Sequence, residues 1–125
     1  MIAVPNAEGW QAQLFRSNWL HLDIPRHLSH FGPKSLKKLL EKSNLTIGRT
    51  WHQELEYDIF GWSMSAFRLL TKRELGPLSD RMALTPRAMA DAGLLMFFSL
   101  LSLPLVIAGS LAGQGGTIVM TARKN

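Results

Sequence analysis

Trp19-Leu20-His21-Leu22-Asp23-Ile24-Pro25-Arg26-His27-Leu28-Ser29-His30-Phe31 has no clean helical or strand period. It is dense in histidine, aspartate, arginine and proline, so it reads as a structured loop whose composition points to a site. Regular elements frame it on both sides. Upstream, Ile2, Ala3 and Val4 are apolar and Pro5-Asn6 stops a ladder, which predicts a short buried strand over residues 1–6. Ala7 to Phe15 carries a weak helical pattern in Trp10, Leu14 and Phe15. Downstream, Gly32-Pro33 puts proline at a first helical position, where its missing N–H costs nothing. Leu36, Leu39 and Leu40 then form an apolar stripe, with Lys34, Lys37, Lys38, Glu41 and Lys42 toward water. Asn44 suits the left-handed conformation that ends such a helix.

Farther out, Leu45 and Ile47 alternate with Thr46 and Gly48, and the pattern predicts a strand over 45–54. Ile59, Trp62, Met64, Phe67, Leu69 and Leu70 predict a helix over 58–70. Residues 71–85 read as a basic linker with Gly76-Pro77, and Thr85-Pro86 as a helix start with a threonine cap. Pro104 is expected to kink or end a helix in the apolar stretch that follows. Gly113, Gly115 and Gly116 mark a turn, and Thr117 to Ala122 has strong strand propensity.

The chain has 125 residues, no cysteine and a net charge of +5, with 46% hydrophobic residues. That composition excludes a disordered tail, and the missing cysteines exclude a disulfide scaffold, an iron–sulfur site and thiol catalysis. The start lacks a basic region followed by a long apolar run, so it is not read as a secretory signal, and a cytoplasmic location is expected. No charge occurs between Asp91 and Arg123. Ala92 to Ala112 would span about 31 Å as one helix, long enough for a bilayer. If the last strand returns to pair inside a sheet, both ends of this segment lie on one side and a single crossing is impossible. With Pro104 in the middle, an apolar helical hairpin over about 86–113 is expected. Basic residues on both sides suit an anionic membrane surface, peripheral to the inner face of the membrane.

Val4-Pro5-Asn6, the Asp23-x-Pro25-Arg26-His27-Leu28-x-His30-Phe31 segment, Ser35-Leu36-x-x-Leu39-Leu40 and Gly115-Gly116-Thr117 before a terminal strand together resemble the C-terminal half of class I S-adenosylmethionine-dependent methyltransferases. The resemblance covers nearly the whole chain and about half of the family's domain. It implies an α/β, Rossmann-like partial fold over residues 1–125, made of the fifth, sixth and seventh strands. The last strand would lie antiparallel between the other two, and Met1–Val4 would form an unpaired edge. The family's glycine-rich donor turn after a first strand is missing, since Gly113-Gln114-Gly115-Gly116 leads into a strand. The implied molecule is a fragment that transfers a methyl group to a small-molecule or lipid-like acceptor when intact. It would not bind S-adenosylmethionine alone and would be completed by an upstream donor-binding half.

In such a fold the loop after the first strand faces the acceptor. His27 and His30 are then the candidate bases for an oxygen acceptor. Arg26 is the candidate anion ligand and Asp23 the orienting group, with Asn6, Trp19 and Phe31 as further substrate-side residues. The plainer reading is that Asp23, Arg26 and His27 tie a proline-containing loop together by hydrogen bonds. His21, Asp23, His27 and His30 lack a helical metal-binding register. The lysines of the 33–42 helix form one solvated face without interleaved aromatics, so no nucleic-acid partner is expected. The competing functional class is a small, non-enzymatic membrane-associated protein with a basic soluble head.

Overall fold

Thr117–Lys124 (β3) has valine, isoleucine and threonine where a strand needs them, and it occupies the centre of a three-stranded sheet. Ile2–Pro5 (β1) and Leu45–Trp51 (β2) pair antiparallel on either side of it, in the order β1-β3-β2. The expected position of the last strand, antiparallel between the other two, is the one observed. The computed structural model describes residues 1–23, 27–52, 54–75, 82 and 84–124. Arg26, with Ile24 and Pro25, and the Gly76-Pro77 part of the basic linker lie outside the described residues.

Opposing Val4 to Ile118 and Ile2 to Met120 sets the register of β1. It directs those four side chains to one face, where Leu36 and Leu40 of α2 (Pro33–Lys42) cover them. Helix α2 begins and ends as its sequence prescribes. Pro33 opens it, Ser35 Oγ accepts the Gly32 N–H at 2.9 Å, and Asn44 closes it at φ 57°. Strand β2 is shorter than 45–54 and carries an irregularity between Ile47 and Thr50. There Thr121 Oγ1 accepts the Arg49 N–H at 2.7 Å, and a Cβ on Gly48 would meet that oxygen at 2.9 Å. The absent side chain lets the bulged strand approach its neighbour.

A second core lies away from α2. Short α1 (Trp10–Phe15) and two 3-10 turns (Arg16–Asn18 and Leu20–Leu22) bring Phe15 and Trp19 against Trp62 of α3 (Leu55–Thr71) and Val106 of α4 (Pro86–Leu111). Phe15 and Trp62 meet edge to face at 5.2 Å between ring centroids. Thr85 caps α4 by accepting the Ala88 N–H, with Pro86 in the first turn.

The apolar segment is one continuous helix of 26 residues rather than a hairpin over 86–113. Pro104 does not end it. Leu100, whose carbonyl loses its partner to the proline, and Pro104 itself both lie on the exposed side. Ring and freed carbonyl therefore point away from the helix packed beneath. The hairpin that does form consists of α3 and α4. It is clamped beyond the end of α3 by Arg73, whose guanidinium donates to Asp91 of α4 at 2.7 Å.

Candidate functional site

Because β1 and β2 are both antiparallel to β3, they are parallel to each other. Their carboxyl ends, at Asn6 and His52, share the sheet edge where β3 begins. Sites in open α/β sheets collect at such an edge. Here the turn before β3 closes over it. Asn6 N–H donates to the Gly116 carbonyl at 2.8 Å, Asn6 Nδ2 to the Gly115 carbonyl at 2.9 Å, and Trp10 N–H to the Gln114 carbonyl at 3.0 Å. Asn6 Oδ1 accepts the Glu8 N–H at 3.1 Å. Both ends of the buried Asn6 side chain thus hold the chain's own backbone.

Beneath Asn6 sits a polar cluster that the sequence reading did not identify. Asp58, on the first turn of α3, is 1% exposed. Its carboxylate accepts from Thr117 Oγ1 at 2.8 Å, and Gln11 Nε2 donates to the Asp58 carbonyl at 2.8 Å. Removal from water pushes the Asp58 carboxyl up to about 6, against the lowering effect of the Thr117 and Glu54 hydrogen bonds. The nearby Glu54 charge adds to the rise. Gln11 Oε1 and His52 Nδ1 are buried without a hydrogen-bond partner. The signal for this cluster was a lone aspartate inside the run Tyr57-Asp58-Ile59-Phe60-Gly61-Trp62, on a helix otherwise buried through its middle.

This cluster sets a pH dependence. A carboxyl at about 6 in the fold and about 3.9 unfolded retains its proton longer when folded. Stability therefore falls as pH rises from about 4 to about 6 and is flat above, by at most about 3 kcal/mol. Asp58→Asn keeps an oxygen for Thr117 and removes the ionisation. The variant should gain stability relative to the parent across that window and hold the gain at neutral pH, in urea titrations at several pH values. A pH-independent difference would contradict the assignment. His21 and His52 act in the opposite sense, because burial lowers both. Their contribution is lost as pH falls below 6.5 toward their folded values.

The loop residues singled out in the sequence form a second, looser group. Trp19 is buried, with Nε1 unpartnered, and faces His21 and His30 at 5.7 and 6.1 Å between centroids. His30 Nε2 lies 3.0 Å from the Leu22 carbonyl. A carbonyl only accepts, so that nitrogen carries the hydrogen and Nδ1 is the one left to take a proton. His27 Nδ1 lies 3.8 Å from Asp23 Oδ2, and the His27 N–H donates to the Asp23 carbonyl at 3.1 Å. Phe31 joins Asn6 through a parallel bridge in which its carbonyl accepts the Ala7 N–H at 2.9 Å. The structure thus brings Asn6 to Phe31, Asp23 to His27, and Trp19 to His30.

The glycine turn before β3 packs against the chain's own atoms. In the turn from Gly113 to Gly116, a Cβ on Gly115 would collide with the His52 carbonyl, and one on Gly116 would lie 2.5 Å from Gln11 Nε2. The turn is filled by the chain itself. An open depression of about 370 Å³ lies along the β2–β3 bulge, lined by Thr46, Ile47, Gly48, Thr121, Ala122 and Arg123, and includes none of the loop residues. Among the described residues no group of three or more histidine, aspartate or glutamate side chains is placed to hold a metal ion. Compared with protein-family models, curated proteins and solved structures, the chain finds no match.

Proposed function

We propose that this chain is the acceptor-side half of a class I S-adenosylmethionine-dependent methyltransferase, for a small-molecule or lipid-like acceptor. The observation that supports the reading is the sheet order β1-β3-β2 with an antiparallel central β3. The histidine-rich loop follows β1 after α1 and two 3-10 turns, and its last residue, Phe31, bridges to Asn6 at the carboxyl end of β1. In this reading donor binding is supplied by a second α/β half that pairs with the outer edge of β1. The loop's contribution is to position the acceptor, with Trp19 as a wall and His27 or His30 Nδ1 as the proton acceptor.

Calorimetric titration of the purified chain with S-adenosylmethionine should give no binding heat, and micromolar binding would defeat the two-half reading. The reading frame immediately upstream should encode a glycine-rich turn between a strand and a helix. An upstream sequence without such a frame would remove the methyltransferase assignment.

A further inference from the structure

Helix α4 is, among the described residues, the one helix long and apolar enough to cross a membrane, yet only 22% of its most apolar window is buried. Its inner stripe, Phe98, Ser102, Val106 and Gly109, is covered. Its outer side is not: Met96, Phe97, Leu100, Leu101, Ile107 and Leu111 are each more than half exposed. At 3.6 residues per turn these side chains sweep about 140° of the helix circumference. The serines stay off this surface. Ser102 is buried and Ser99 partly so, and their hydroxyls donate to carbonyls of the same helix.

We infer that this outward face of α4 is a membrane-docking surface that lies in the plane of an anionic leaflet, with its apolar half immersed. Three features select a bilayer over a protein partner. The face is convex and apolar across its whole width, whereas a helix docking on it would cover a narrow seam. It is charge-free from Ala92 to the end of the helix. Its start is basic: Arg87 stands exposed in the first turn, and the Arg73–Asp91 ion pair brings the end of α3, with the exposed Lys72, beside it, while Arg68 is held by Glu74 at 2.7 Å. Cations at that boundary complement anionic headgroups at about 1 kcal/mol each.

The same geometry selects an in-plane seat over a crossing. α4 leads through a short turn into β3, in the middle of the sheet. Along its inner stripe runs α3, which carries Asp58, Ser63, Ser65 and Arg68. A crossing would draw those groups into hydrocarbon; a half-immersed helix leaves them on the protein side. The inference stands whether or not the chain handles a methyl acceptor.

The test is flotation of the full chain with phosphatidylcholine vesicles containing phosphatidylglycerol. The chain should float, and less so with phosphatidylcholine alone. Phe97→Glu/Leu100→Glu changes exposed side chains only, so its circular dichroism should match the parent while its bound fraction drops at least about tenfold. Lys38→Glu, on α2, should float like the parent. The absence of native cysteine allows single labels. A polarity-sensitive dye on Leu100→Cys should shift to the blue with vesicles and one on Lys38→Cys should not. Arg87→Cys and Ala112→Cys should both react with an impermeant maleimide added outside. A chain that stays in the soluble fraction overturns the inference, as does a dimer that the double variant dissolves without any flotation. Protection of only one of the two terminal labels overturns the in-plane seat.

Discussion

Gly115→Ala is expected to cost more than about 3 kcal/mol, beyond the usual range for a single substitution. The added methyl would be driven onto the His52 carbonyl, with that residue's carbonyl carbon at 2.9 Å and its Cβ at 3.3 Å. The obstacle is backbone at the end of β2, so no rotamer change relieves it. The turn cannot retreat either, because the carbonyls of Gly115 and Gly116 hold the side chain and the backbone of Asn6. Moving it would also draw Thr117 away from Asp58, leaving a buried carboxyl with fewer partners. With a urea dependence of about 1–3 kcal/mol per M for a domain of this size, the midpoint should fall by at least about 1 M. Gly113→Ala isolates the steric cause. Its nearest neighbour is 3.9 Å away and its burden is the positive φ of 68°, worth about 1–2 kcal/mol. If Gly115→Ala unfolds no earlier than Gly113→Ala, the close approach of the turn to β2 is not what holds this edge shut.

Elements whose ends are encoded locally were legible. Gly32-Pro33 and Asn44 fix both ends of α2, and Thr85-Pro86 fixes the start of α4, because caps and proline act within one turn. Elements shaped by a neighbour were not. The bulge near Gly48 depends on Thr121, which lies 72 residues away in sequence. Continuity through Pro104 depends on which side of α4 faces α3, and periodicity in a nearly all-apolar run does not show that. The loop from Trp19 to Phe31 announced itself by composition. The polar joint of Asn6, Gln11, Asp58 and Thr117 did not, since its bonds link residues 109, 47 and 59 positions apart. Each of these residues is ordinary where it stands. Only the return of β3 between β1 and β2 brings them together, and burial then gives Asp58 its raised pKa.

Phe67→Ala, in the α3–α4 hairpin, is the other large effect. Phe67 is 0% exposed, and truncating a buried phenylalanine costs about 3–5 kcal/mol through lost transfer energy and the cavity left behind. The Arg73 guanidinium lies 5.6 Å from the Phe67 ring centroid and also binds Asp91 of α4. Loss of the ring therefore removes a cation–π contact from the Arg73 side of the clamp between α3 and α4 as well as opening a cavity. Leu36, Leu40, Ile118 and Met120 form a cluster under α2 that does not include Phe67. If the two cores open separately, hydrogen exchange in Phe67→Ala should accelerate along α3 and α4, while the β2–β3 amides keep most of their protection. Phe60→Ala removes the same side chain from a half-exposed position on α3 and should cost less than about 1 kcal/mol. Equal acceleration in both regions would mean that the apolar hairpin and the sheet unfold as one unit, so α4 could not loosen without opening the edge where Asn6 and Asp58 meet.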